Sequence, residues 1–126
     1  MDDDYASVRY IVDDVQAAID FYVEHLGFEL LSHPAPPFAD VVRGRLRLLL
    51  SGPASSGGRA TPAEQDVPGR NRIQVVVADL DEQLERLRAA DVTLSTDVVE
   101  GPGGRQFLVA DPAGNLVEVF EPAAGQ

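Results

Sequence analysis

The chain has no cysteine, no tryptophan and no lysine, and only two histidines, His25 and His33. Without cysteine there are no disulfides, no thiolate nucleophile and no cysteine-based zinc site. Without lysine there is no Schiff base and no lysine general base. All ten basic residues are arginine. No apolar run approaches the roughly 18 residues that suggest a membrane span, so no membrane partner is expected. The Met-Asp-Asp-Asp start is the opposite of a basic secretory leader, so a cytoplasmic location is the default expectation. Positive charge is scarce, and the formal net charge is −11. That excess repels phosphate backbones and argues against a nucleic-acid partner. It would steer a cationic ligand at low salt, although acidic charge more commonly serves solubility alone. Carboxylates, two histidines, hydroxyls and arginine are what remains for chemistry.

What is present is a repeat. Residues 7–15 read SVRYIVDDV and residues 72–80 read RIQVVVADL. Each is an alternating apolar run, then an acidic residue, then Val or Leu opening an amphipathic stretch. In the first run Ser7, Arg9 and Ile11 share one strand face, and Val8, Tyr10 and Val12 the other. The 3.6-residue spacing of Val15, Ala18, Ile19, Tyr22, Val23 and Leu26 predicts a helix over 15–26. Asp14 suits its N-cap and Gly27 its C′ position. Strands are expected at 28–31, 38–42 and 45–50, with a break at His33 to Pro37 and a hairpin turn at Gly44. Residues 51–70 carry Gly, Pro and Ser without periodicity and read as a linker. The second half predicts a strand over 73–77, a helix capped by Asp79 with Glu82 placed for a capping box, and strands at 92–99, 105–110 and 116–120. A Pro- and Gly-containing turn, Asp111 to Asn115, joins the last two. The fold class expected is α+β: two tandem βαβββ modules, 5–50 and 71–122, in one domain, their mixed sheet curled around a cleft.

Several stretches resemble the vicinal oxygen chelate superfamily of glyoxalases, bleomycin-resistance proteins and extradiol dioxygenases. They are Val12-Asp13-Asp14-Val15 with Phe21-Tyr22 and Leu26-Gly27-Phe28, then Val77-Ala78-Asp79-Leu80 with Leu87 to Ala90. The most specific is Asp111-Pro112-Ala113-Gly114-Asn115-Leu116-Val117-Glu118. The resemblance covers nearly the whole chain. It implies that metal-dependent members hold a divalent cation on four inward side chains from the first and last strands of each half. Here those positions map to Ser7, Leu48 (counted from Gly44), Arg72 and Glu118. Leucine has no lone pair to give, arginine repels a cation, and serine is a poor ligand. No metal and no other cofactor are therefore expected.

The alternation directs a mostly apolar surface inward with a few polar groups, which suits a small-molecule site. Ser7, Arg9, Leu48, Arg72, Gln74, Glu118 and Phe120 are its candidate lining, with His33 and Phe38 at the rim. Arg72 either pairs with Glu118 where the metal would lie, or sits at a strand start facing solvent. An unpaired buried carboxylate would be available as a base, and one held by arginine is a poor base. His25, near a helix C-terminus, reads as a favourable end charge rather than a catalyst. Tyr10 and Tyr22 read as core. The leading functional expectation is a metal-free binding protein that sequesters an antibiotic or other natural product. By resemblance it would be a homodimer with the cleft shared between chains. The alternative is a glyoxalase-like lyase or isomerase that uses Glu118, with or without a divalent metal.

Overall fold

In the computed structural model, residues 5–60 and 72–124 are described. The order is β1 (Ala6–Ile11), α1 (Val15–Leu26), β2 (Glu29–Ala35), β3 (Phe38–Arg43), β4 (Leu46–Ser51), α2 (Ser56–Ala60), β5 (Arg72–Val76), α3 (Leu80–Ala89), β6 (Val99–Gly101), β7 (Gly104–Ala110) and β8 (Leu116–Pro122). The strands form two four-stranded sheets, ordered β1-β4-β3-β2 and β5-β8-β7-β6. In each, the first and last strands of a half pair in parallel and the others are antiparallel. This is the duplicated βαβββ plan, and no described helix is long and apolar enough to cross a membrane.

Local chemistry accounts for the helices. Asp14 accepts a hydrogen bond from the Ala17 amide and Asp79 one from the Glu82 amide, each satisfying an otherwise orphaned N-terminal donor. Gly27 ends α1 with φ 73°, a left-handed turn that glycine adopts without a Cβ clash. At the matching place after α3, Asp91 adopts φ 60° instead.

Strand alternation builds the core. Val8 and Tyr10 of β1 lie beside Leu48 and Leu50 of β4, which lie beside Val41 and Ala39 of β3. Ile73 and Val75 of β5 lie beside Val117 and Val119 of β8, which lie beside Val109 and Phe107 of β7. These faces join α1 and α3 in one apolar cluster. Burying each such side chain contributes about 1.5–3 kcal/mol. Polar contacts stitch the halves together around it. Tyr10 Oη donates to the Leu116 carbonyl (2.9 Å), Asn115 Nδ2 to the Ile11 carbonyl (3.0 Å), and Tyr22 Oη to Asp111 Oδ2 (3.1 Å). Burial is the main cause pushing Tyr10 up to about 12, and it also lifts Tyr22 well above its ordinary value. Burial raises Asp111 too, although the Asn115 and Ala113 amides and the Tyr22 hydroxyl pull the other way.

Three elements differ from expectation. β2 runs on through His33 and Pro34 because it is a sheet edge, where proline removes no ladder bond; two register shifts accommodate it. The strand expected at 92–99 shrinks to β6 and a single bridge, Leu94 to Val109. There the Thr96 hydroxyl accepts the Leu108 amide that a strand carbonyl would otherwise take (3.0 Å). The expected linker begins with the short helix α2, and its residues 61–70 lie outside the described residues.

Candidate functional site

The faces turned away from the core carry two polar clusters, one per sheet. On the second sheet, Arg72 and Gln74 of β5 and Glu118 of β8 share that face. Glu118 is only 8% exposed. Its Oε1 accepts from Arg72 Nε at 2.9 Å and its Oε2 from Gln74 Nε2 at 2.8 Å. Arg72 thus takes the paired alternative. Arg72 is held through Nε while its side chain stays 46% exposed. Phe120 and Leu116 flank Glu118 on the same face.

The first sheet carries a counterpart that the sequence reading did not identify. Asp40 on β3 is 5% exposed. Its Oδ1 accepts from the Ser32 hydroxyl at 2.6 Å, and its Oδ2 lies 3.6 Å from Arg47 NH1. Arg47 Nε donates to the Ser7 hydroxyl at 3.1 Å. In the second half β7 and β8 place Leu108 beside Glu118; in the first, β3 and β4 place Asp40 beside Leu49. The carboxylate has moved one strand across. The signal was available, since an acidic residue interrupts the apolar Phe-Ala-Asp-Val-Val run at an outward position.

Leu48 requires correction. It is fully buried on the core face, between Val8 and Val41. Counting four residues from Gly44, as Glu118 stands four from Gly114, slips the register by one. The first hairpin pairs Arg43 with Leu46, whereas the second pairs Ala110 with Leu116 across a longer turn. By pairing, Leu49 faces Arg9 as Glu118 faces Gln74. The outward residues of β4 are therefore Arg47, Leu49 and Ser51.

Arg9 occupies the other end of the first sheet's outer face. Its NH1 donates to the Ser51 hydroxyl at 2.8 Å. Arg9, Ala35, Pro37, Phe38 and the segment Ala54–Gly57 bound a hollow of about 400 Å³. Its guanidinium lies so close over Gly57 that a Cβ there would collide with it. The other two rim candidates differ from each other. Phe38 lines this hollow, while His33 lies exposed on β2. His25 is placed elsewhere, its ring edge-on to Phe21.

A divalent cation does not fit the family positions of this chain. Ser7, Leu49, Arg72 and Glu118 include an apolar residue and a fixed cation, and the one good ligand already accepts from two donors. Among the described residues no three His, Asp or Glu side chains come together as a metal site. Nor do hydrogen bonds or ion pairs join the Asp40 and Glu118 clusters among the described residues.

Among curated proteins no sequence matches the chain significantly. Solved structures do. An antibiotic binding protein from Streptomyces sp. CB03234, TnmS3, is 26% identical with a TM-score of 0.75, over 94% of this chain and 95% of that one. The bleomycin-binding protein of Streptomyces verticillus, solved with copper(II)-bleomycin, is 30% identical with a TM-score of 0.65, over 93% and 94%. A lactoylglutathione lyase from Agrobacterium tumefaciens is 26% identical with a TM-score of 0.72, over 91% and 90%. The family profile itself matches residues 5–119, so the chain belongs to the Glyoxalase/Bleomycin resistance protein/Dioxygenase superfamily.

Proposed function

We propose that this protein is a metal-free binder of small molecules that sequesters an antibiotic or other natural product in the cytoplasm, acting as a homodimer. The observation that carries the reading is the state of Glu118. It is the one family ligand retained, and Arg72 and Gln74 occupy both its oxygens. A carboxylate held this way is a fixed wall of a pocket, ill suited to accept a substrate proton. The neighbours named for binding bleomycin and antibiotics support the same reading.

Each outer face supplies what a small aromatic ligand needs: apolar wall with a few oriented polar groups. On the first sheet these are Ser7, Arg9, Phe38 and Leu49, with His33 nearby at the edge. On the second they are Arg72, Gln74, Glu118 and Phe120. The core lies between the halves, so the two outer faces belong to different sides of it, and a second copy would bring one against the other. Exposed Leu30 and Leu31 on β2, and Val98 and Val99 at β6, offer apolar surface for that association.

The test is a thermal-shift panel of aromatic natural products, bleomycin included, run in chelator and again with zinc or nickel. A ligand at 100 times its Kd stabilises by about 2.7 kcal/mol, a readable shift. The reading expects at least one saturable, metal-independent hit. Silence across the panel, with a stoichiometric zinc isotherm, would overturn it.

A further inference from the structure

The protein is strongly acidic, yet the faces proposed to meet ligand are not. On the eight strands the outward charged residues are three arginines, Arg9, Arg47 and Arg72, against three carboxylates, Glu29, Asp40 and Glu118. The two signs balance there, against −11 for the whole chain. Asp40 is paired with Arg47 and Glu118 with Arg72. Among the described residues no carboxylate pairs with Arg9. The acidic excess therefore lies elsewhere, and Arg9 stands at one end of the hollow.

We propose that this hollow takes an aromatic carboxylate, with Arg9 binding the carboxylate and Phe38 and Pro37 covering the ring. This rests on the outer faces being the ligand surface, and it names the chemistry one of them selects. Three observations lead there. Ser51 anchors NH1, which orients the guanidinium, and a planar fork of donors matches a carboxylate. Gly57 leaves room for the guanidinium close against it, which a side chain would deny. The hollow's volume of about 400 Å³ falls in the range of small-ligand sites, and its wall of Ala35, Pro37, Phe38 and Ala54 is apolar. A cationic ligand, the expectation from net charge alone, would meet Arg9, which no carboxylate pairs among the described residues.

The probe is 2-naphthoate, compared with its neutral amide by calorimetry on the full chain, with amide chemical shifts to locate each. Expected is saturable binding at Arg9, Phe38 and Ser55–Gly57, with the acid favoured at least tenfold (about 1.4 kcal/mol) and less so at high salt. Arg9→Gln should erase the preference. Gly57→Val should weaken both probes by displacing the guanidinium. Arg88→Gln, which removes a positive charge from the exposed side of α3, should change neither. Equal affinity for acid and amide, with shifts on the same residues, overturns the anion assignment and leaves the ligand-face reading standing. No binding of either, together with a silent natural-product panel, overturns both.

Discussion

Arg72→Met tests the ion pair between Arg72 and Glu118. Glu118 is nearly out of water and depends on two donors, Arg72 at 2.9 Å and Gln74 at 2.8 Å. Removing one partner of a fully buried pair costs about 3–5 kcal/mol. Two features lower that here. Arg72 is half exposed, so part of its attraction is screened by solvent, as in surface pairs worth about 0–1 kcal/mol. Gln74 also keeps its hydrogen bond. The expected loss is about 1–2 kcal/mol, between those limits. Glu118→Met leaves the guanidinium free to reach water and removes a desolvated charge, so about 0–1 kcal/mol is expected. With Glu118 gone, Arg72→Met has little left to break, and the double variant should resemble Glu118→Met alone. Urea unfolding of the four proteins, with m held in common, closes the cycle. The reasoning is refuted if the single costs add in the double variant, or if Arg72→Met stays within about 0.3 kcal/mol of wild type, the usual limit of additivity.

Three further outcomes follow from the geometry. Leu48→Ala should lose about 2–5 kcal/mol in urea unfolding as a core truncation, while Leu49→Ala, on the outer face, should lose clearly less and alter ligand affinity instead; equal losses would contradict the register. Tyr22→Phe should cost about 0.5–1.5 kcal/mol, since buried Asp111 Oδ2 loses its hydroxyl donor and keeps only that of Asn115 Nδ2; unchanged stability would contradict that bond. Asp111 sits above its ordinary 3.8 in the fold, so it binds its proton more tightly folded than unfolded. Its favourable contribution is complete below that value and is lost as pH rises through the folded one. The stability difference between wild type and Asp111→Asn should therefore drift against wild type as pH climbs from that point, and a flat difference would refute it.

The fold was legible because period and punctuation agree in both halves. The α1 spacing matched residues 15–26, and Asp14, Gly27 and Asp79 punctuate the helices as expected. The site was legible where strand register followed from sequence: Arg72, Gln74 and Glu118 lie on one face, and their carboxylate is held. It failed where two turns differ in length. Gly44 and Gly114 look equivalent, but the hairpins they mark are not, and one residue of slip exchanges Leu48 for Leu49. Asp40 lies off the family positions, which fall on first and last strands, because the first half keeps its buried carboxylate on β3. The place of Arg9 at the hollow was invisible to composition, since net charge says nothing about which face carries a residue.

The proposed function has the outer faces bind an organic ligand without a metal. Calorimetric titration of the strongest panel hit into protein dialysed against EDTA, repeated with added zinc, tests it most directly. The same saturable isotherm and the same Kd are expected in both. Binding seen only with zinc, at one ion per site, would contradict it.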